Sequence, residues 1–185
     1  LNNLKQVALA THGYHDAYKR FPYAVRDYQP GETTATYVTG LILILPFLEK
    51  DDVARRWDPK QPRNSTVDMN GDGFTNAQLQ QMLIPTYLCP AMAPPTGPLP
   101  ENRAYCSYLF NTGTMDVTMF HYGTPDPAFN GPVVPVKASH IASNASSMNL
   151  ETVTTMQSIT DGTSNTYLLG ETDFTPQGVP STSMG

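Results

Sequence analysis

Nonpolar side chains recur at steps of three and four residues over the start of the chain, the spacing that places them on one face of an α-helix. The larger members of this stripe are Leu1, Leu4, Val7, Ala8, Tyr14 and Tyr18. Pro22 disfavours the helical conformation in the residue before it, so the helix is predicted to end at Phe21. The pattern therefore predicts a helix over residues 1–21 that packs one face against a core.

A second helical pattern follows a stretch with a proline, a glycine and several threonines, which predicts an exposed loop over residues 23–36. Leucines at helical spacing then predict a helix over residues 37–57, with Pro46 either kinking it or lying in its first turn. A further short helix is predicted over residues 76–83, because the next segment contains a proline that ends it.

Short runs of β-branched and aromatic residues, which are typical of strands, occupy much of the remaining chain. These runs are residues 86–89, 105–110, 115–120, 133–136 and 167–170. Helices come first and strands follow, so we expect an α+β fold with the helices on one face of an antiparallel sheet. The 17 prolines and 13 glycines favour turns and extended connections, so long loops are expected.

The size and charge of the chain narrow the classes of function. A chain of 185 residues is long enough to bury one core, and we expect a single domain. The formal net charge is -5, and the basic residues form no cluster larger than Arg55 and Arg56, so nucleic acid is not an expected partner. The longest apolar run, residues 40–48, is about half as long as a membrane-spanning helix and is assigned to the core.

The helical stripe is already present at Leu1, with no capping residue ahead of it. We therefore expect the helix to continue upstream, in a segment that precedes this sequence. An upstream helix that is apolar all round needs a membrane or a bundle of like helices around it.

The segment DMNGDGFTN places oxygen-bearing groups at alternate positions of a loop. They are Asp68, Asn70, Asp72, the carbonyl of Phe74, and Asn76. Oxygen ligands at this spacing converge on one hard cation, as in calcium loops of the EF-hand or dockerin type. Leu79 stands where a bidentate acid is usual, so a remote acid such as Asp51, Asp52 or Asp58 has to complete the calcium shell. A simple Asn-Gly and Asp-Gly turn before a helix is the alternative.

The chain contains two cysteines, Cys89 and Cys106, on either side of a Pro-rich loop. In an exported protein a disulfide between them would stabilise the fold by about 3 kcal/mol, provided that their Cα atoms approach to about 6 Å. Two free buried thiols are the alternative. The many Asn, Thr and Ser residues agree with an extracellular setting.

Two histidines of the first predicted helix, His12 and His15, lie three residues apart with Asp16 beside them. Imidazoles at this spacing can approach one transition metal, but a third ligand is missing, so packing or hydrogen bonding is the preferred interpretation. Neither a Gly-x-Ser-x-Gly turn nor a His-Glu-x-x-His zinc motif is present. We therefore expect a protein that is not an enzyme.

Four stretches form a larger pattern through their order along the chain. They are NNLKQVALATHGYHDAYKRFP (residues 2–22), LILILPFLEKDD (41–52), IPTYLCP (84–90) and ITDGTSNTYLLGE (159–171). Together they resemble a planctomycete-type pilin-like family of uncertain function, whose members carry a prepilin-type N-terminal cleavage and methylation segment. Residues 91–156 are largely outside the resemblance. The family's later C-terminal motif, His followed by nine residues and Asp-Gly, does not occur in this sequence.

The resemblance implies a type IV pilin-like fold, in which the N-terminal helix packs on an antiparallel β-sheet with long loops. The single domain, residues 1–185, would then consist of the C-terminal part of a long helix, 1–21, and a globular α+β portion, 22–185. The resemblance also implies export to the cell surface or periplasm, cleavage by a prepilin peptidase, and an apolar helix upstream of Leu1 that anchors or polymerises the protein.

We therefore expect a structural subunit of a pilus-like or pseudopilus-like filament, which associates with itself or with related subunits through the N-terminal helix. In this interpretation a calcium ion stabilises the loop 68–76. Contact with a membrane is expected only through the upstream segment. The alternative is an extracellular module, anchored at the cell surface, that binds a sugar or a peptide.

Overall fold

The first helix, α1, spans Asn2–Tyr18. The computed structural model describes residues 2–28, 35–68, 70–95, 97–99, 102–113, 131–133 and 154–172. The buried face of α1 consists of Val7, Ala10, Thr11, Tyr14 and His15, so Val7 and Tyr14 of the predicted stripe face the core, whereas Tyr18 is exposed. The helix ends before the predicted Phe21, because Lys19 adopts a left-handed φ of 58° while its amide donates to His15 O at 2.7 Å.

Short helices and strands make up the other regular elements of the described residues. The α-helices are α2 (Gly40–Leu43), α3 (Asp51–Arg56) and α4 (Asn76–Leu79), and 3-10 helices occupy Leu45–Leu48, Pro85–Tyr87, Met156–Ser158 and Thr163–Asn165. The strands are β1 (Val25–Tyr28), β2 (Ala35–Thr39), β3 (Tyr108–Phe110) and β4 (Leu169–Glu171). This mixture of helices and small antiparallel sheets is an α+β fold, as the sequence predicts.

The single helix predicted over residues 37–57 is wrong. Residues up to Thr39 belong to β2, and the following stretch divides into α2, a 3-10 helix and α3. Pro46 lies in the first turn of the 3-10 helix, where a backbone N–H would have no partner within the helix, so proline costs no hydrogen bond there. Glu49 then adopts a left-handed φ of 58°, which ends the 3-10 helix before α3 begins.

Strands β1 and β2 form an antiparallel hairpin within and just beyond the segment that the sequence predicts to be a loop, residues 23–36. Val25 pairs with Thr39 and Arg26 pairs with Val38. The loop prediction is therefore wrong for these strands. Their runs of four and five residues are too short for an alternating pattern to stand out beside the proline and glycine between them.

Strands β3 and β4 pair antiparallel, with Leu109 opposite Gly170. They confirm the strands predicted over residues 105–110 and 167–170, although each observed strand has only three residues. The described residues thus form two separate two-stranded sheets, whereas the sequence predicts one sheet.

The other strand predictions have different outcomes. The strand predicted over residues 86–89 is wrong, because Pro85 starts a 3-10 helix there. The strand predicted over residues 115–120 lies outside the described residues. Of residues 133–136 only Val133 is described, and it lies in a bend.

Helix α4 covers the first half of the helix predicted over residues 76–83. Its start is fixed by a capping box, in which the Thr75 hydroxyl accepts from the Gln78 amide and the Gln78 side chain accepts from Thr75 N at 2.9 Å. The capping box therefore fixes the start of α4 at Asn76 and the end of the preceding segment at Thr75.

The hydrophobic core lies against α1, which contacts the 3-10 helices Leu45–Leu48 and Pro85–Tyr87 and strand β4. The buried core side chains are Val7, Ala10, Tyr14, Val38, Ile44, Leu45, Val53, Trp57, Leu79, Tyr87 and Tyr108. Burying one large apolar side chain stabilises a fold by about 1.5–3 kcal/mol, so this cluster is the main source of stability. It brings all four family-like stretches together around α1.

Candidate functional site

The acidic loop, residues 68 and 70–76, is closed by hydrogen bonds from its own backbone. Asp68 Oδ1 accepts from Gly71 N at 2.7 Å, and Asp68 Oδ2 accepts from Gly73 N at 2.8 Å. Gly71 and Gly73 have φ values of 69° and 86°, which glycine adopts without steric cost. One carboxylate therefore fixes the turn that the sequence places at the two glycines.

The same loop is attached to the C-terminal end of α3. Asn70 Nδ2 donates to Arg56 O at 3.1 Å, and the Arg56 guanidinium lies 4.0 Å from the centre of the Phe74 ring. Asp72 Oδ1 accepts from Phe74 N at 3.0 Å. These contacts hold four of the five predicted calcium ligands in one exposed turn.

Asn76, the fifth predicted ligand, is buried and only 2% exposed. Its Oδ1 accepts from Asp58 N at 3.0 Å, and its Nδ2 donates to Asp58 O at 2.9 Å and to Gln61 O and Pro62 O at 3.2 Å each. Both ends of the carboxamide are thus bonded to the backbone of residues 58–62. In this structure Asn76 fastens α4 to the segment after α3.

The other four predicted ligands supply carboxylate, amide and carbonyl oxygens, which are the hard donors that calcium takes. Within the described residues, no three His, Cys, Asp or Glu side chains are grouped to hold a metal ion. Of the remote acids, Asp58 accepts a hydrogen bond from Lys60 N through its Oδ1 at 2.9 Å. Calcium at the acidic loop stays a prediction.

The two histidines of α1 both lie beside the Phe21 ring, but their other contacts differ. His15 Nε2 accepts a hydrogen bond from Met156 N at 3.3 Å. His12 meets Phe21 edge-on, with ring centroids 6.3 Å apart. Hydrogen bonding and packing, the preferred interpretation from the sequence, account for both imidazoles.

Cys89 and Cys106 are free thiols in this structure, on segments that Ser107 holds side by side. Ser107 N donates to Tyr87 O at 2.8 Å, and the Ser107 hydroxyl accepts from Cys89 N at 2.9 Å. Cys106 Sγ donates to Tyr108 O at 3.1 Å, and burial raises the pKa of the Cys106 thiol to about 11. A thiol with a raised pKa stays protonated and reacts slowly. The disulfide stays a prediction.

Two polar side chains that the apolar pattern does not identify connect the family-like stretches. Asn3 Nδ2, on α1, donates to Leu88 O at 2.7 Å and to Pro85 O at 3.2 Å. Tyr87 OH donates to Leu41 O at 2.5 Å. The available signal for Asn3 is its position at the edge of the apolar stripe, where a polar side chain can reach a neighbouring backbone.

The face of α1 opposite the core is solvent-exposed. It carries Asn2, Lys5, Gln6, Leu9 and Asp16. Leu9 is apolar but 58% exposed, and it lies at the centre of this otherwise polar face. Single exposed leucines are common on protein surfaces. Leu9 nevertheless gives the outer face of α1 an apolar point of contact.

A groove of about 220 Å³ lies beside the turn that follows α4. Its lining includes Gln81, Leu83, Pro98, Leu99, Arg103 and Tyr105. Pockets for small molecules usually measure about 300–1,000 Å³, so this groove fits a small group or a single side chain.

Comparison with known proteins gives a family but no relative of known activity. A family model described as "Protein of unknown function (DUF1559)" matches residues 1–185, the whole chain. This agrees with the resemblance to a planctomycete-type family of unknown function. No curated protein and no solved structure matches the chain. Within the described residues, no helix has both the length and the apolar composition needed to cross a membrane.

Proposed function

Because the chain belongs to the DUF1559 family, whose function is unknown, we propose that it is a structural subunit of a type IV pilus-like or pseudopilus-like filament. The proposed subunit is exported, has a pilin-like fold and is not an enzyme. An apolar segment ahead of α1 extends this helix, anchors the protein and packs against the helices of neighbouring subunits.

The observation that supports this proposal most directly is the division of α1 into two faces. One face is buried against three of the elements that carry the family-like stretches, so the helix is the common support of the fold. The other face is exposed and has Leu9 at its centre. A helix arranged in this way can hold a head domain on one side and meet another helix on the other.

A charge placed at Leu9 tests the assembly proposal. Leu9→Asp in the full-length chain, produced in its native host, should lower the amount of subunit in sheared surface filaments by about tenfold or more, because an aspartate in an apolar helix contact is costly. Val67→Asp is the matched control, since Val67 is 52% exposed but belongs to the irregular segment before the acidic loop. Both purified variants should melt like the unmodified protein.

The assembly proposal fails if Leu9→Asp and Val67→Asp assemble equally well. It also fails if the full-length protein is neither processed nor exported and occurs only as cytoplasmic monomers. If Leu9→Asp has a lower Tm than the unmodified protein, Leu9→Gln takes its place in the assembly test, because it removes the apolar contact without adding a charge.

Calcium in the acidic loop is a second element of the proposal. Asp68, Asn70, Asp72 and the Phe74 carbonyl supply the ligands, while the buried Asn76 holds the end of the loop in place. The supporting observation is that the Asp68 and Asp72 carboxylates each accept from a backbone amide of the same tight turn. Two negative charges therefore lie within one short loop.

Thermal unfolding with calcium and with chelator tests this site. Calcium at about 100 times its Kd would add about 2.7 kcal/mol, which raises the Tm of a chain of this size by several degrees. Asp72→Asn should abolish the rise, and Asp161→Asn, at an exposed acid outside the loop, should leave it unchanged. Equal melting of the unmodified protein in both conditions would remove calcium from the proposal without affecting the assembly test.

The groove beside α4 favours one alternative, an extracellular module that binds a sugar or a peptide. Its Leu83, Pro98 and Tyr105 side chains form a partly apolar lining. The alternative predicts that the purified domain binds members of a glycan or peptide array and that Tyr105→Ala removes this binding. Binding that survives Tyr105→Ala would exclude the groove as its site.

A further inference from the structure

His15 connects the end of α1 to a segment far along the chain, residues 154–158. Its Nε2 lies 3.3 Å from Met156 N. Close by, Phe21 N donates to Thr154 O at 2.8 Å, and the Phe21 ring lies 4.9 Å from the imidazole, centroid to centroid. One hydrogen bond that the His15 side chain accepts and one that the Phe21 backbone donates therefore connect residues 154–158, here called the docked segment, to the end of α1.

The direction of the hydrogen bond between Met156 and His15 decides which imidazole nitrogen is the acceptor. A backbone amide can only donate, so Nε2 must carry a lone pair, and the proton of the neutral imidazole lies on Nδ1. Nδ1 is buried and has no hydrogen-bond partner among the described residues. Protonation of Nε2 would set two donors, Nε2–H and Met156 N–H, against each other.

Among the residues that the structure describes, the charges around His15 give little compensation for a buried imidazolium. Asp16 Oδ1 lies 3.8 Å from His15 Nδ1, but the Asp16 side chain is 82% exposed, so solvent weakens the attraction. The docked segment itself contributes no ionisable side chain. On α1 and just after it, the other ionisable residues within five positions of His15 are His12, Tyr14, Tyr18, Lys19 and Arg20, none of which is a carboxylate.

We propose that His15 is a pH-sensitive latch between α1 and the docked segment. At neutral pH the unprotonated Nε2 accepts from Met156 and holds the segment against the helix. In mild acid the proton taken up by Nε2 replaces this acceptor with a donor, and the segment leaves α1. The latch is a property of the isolated chain and does not depend on filament assembly.

Amide hydrogen exchange of the purified chain at about pH 7.5 and about pH 5 tests the latch. After correction for intrinsic exchange rates, the peptide that contains residues 154–158 should lose protection about tenfold in acid. His15→Gln should abolish this difference, because glutamine offers an acceptor oxygen that does not titrate. His12→Gln, the matched control on the same helix, should behave like the unmodified chain.

The latch is overturned if the docked segment keeps its protection in acid, or if His15→Gln loses protection in acid as the unmodified chain does. If the docked segment of His15→Gln exchanges rapidly at both pH values, a second measurement, on the unmodified chain, decides. The ¹⁵N resonances of His15 in the unmodified chain should then change over the same pH range as the loss of protection. Changes in two separate pH ranges would also overturn the proposal.

Discussion

Asn76→Asp exchanges the NH2 group of a buried carboxamide for a second oxygen with almost no change of shape. In the native chain this NH2 donates to Asp58 O at 2.9 Å and to Gln61 O and Pro62 O at 3.2 Å each, so the carboxylate would face three acceptors. Each lost hydrogen bond costs about 1 kcal/mol, and burying the new charge adds to this. We expect the free energy of unfolding to fall by about 3–5 kcal/mol, which lowers Tm by about 6–20 °C.

The assay is unfolding by heat and by urea, followed by circular dichroism, in chelator and in calcium. Asn70→Asp is the control in the same loop, because Asn70 is exposed and donates a single hydrogen bond, to Arg56 O. The free energy of unfolding of Asn70→Asp should be lower than that of the unmodified protein by about 1 kcal/mol or less. The reasoning is refuted if Asn76→Asp matches the unmodified protein in chelator and gains more than it in calcium, since Asn76 would then act as a cation ligand.

Three further predictions concern glycines and thiols. Gly40→Ala should prevent folding, because the added Cβ would lie 2.1 Å from Tyr23 O, whereas Gly170→Ala, with no atom within 4 Å, should leave Tm unchanged. Burial raises the pKa of the Cys106 thiol to about 11, so the folded state favours the protonated thiol. The stability that this protonated thiol contributes is complete below about pH 9 and is lost as the pH rises towards 11. The free energy of unfolding in urea should therefore fall less between about pH 9 and about pH 11 for Cys106→Ala than for the unmodified protein. Prolonged mild oxidation should join Cys89 to Cys106, slowly because the Cys106 thiol stays protonated, and should lower the mass by about two hydrogens and raise Tm. An unchanged mass after oxidation, with both thiols still open to alkylation in urea, would contradict this.

The elements that the sequence predicts best are those whose pattern is long or locally determined. The stripe of α1 recurs over four turns and predicts the helix itself, with Val7 and Tyr14 buried as expected, although Tyr18 is exposed and the polar Thr11 and His15 share the buried face. The region 37–57 fails for the opposite reason, because a short run of leucines and isoleucines suits a buried strand, a 3-10 helix or an α-helix equally well. There the left-handed Glu49 and the packing of the 3-10 helix Leu45–Leu48 on α1 decide the outcome.

In the acidic loop, too, the sequence predicts what is determined locally and misses what depends on packing. The loop spacing places Asp68, Asn70 and Asp72 in one turn, and the structure has them there. The orientation of Asn76 depends on the backbone of residues 58–62, which comes close only after α3 and α4 have packed. No local motif encodes a contact of that kind, and the same is true of Asn3 with Leu88.

The polar links of Asn3 and Tyr87 give the fold a direction of mechanical strength. Asn3 lies in the first turn of α1 and is tied to Leu88 O, and Tyr87 in turn is tied to Leu41 O. A tension applied along the axis of α1 from its N-terminal end reaches these bonds before it reaches the rest of the helix. The load then spreads into two separate stretches of the chain, so the helix resists being pulled out more than its apolar contacts alone would allow.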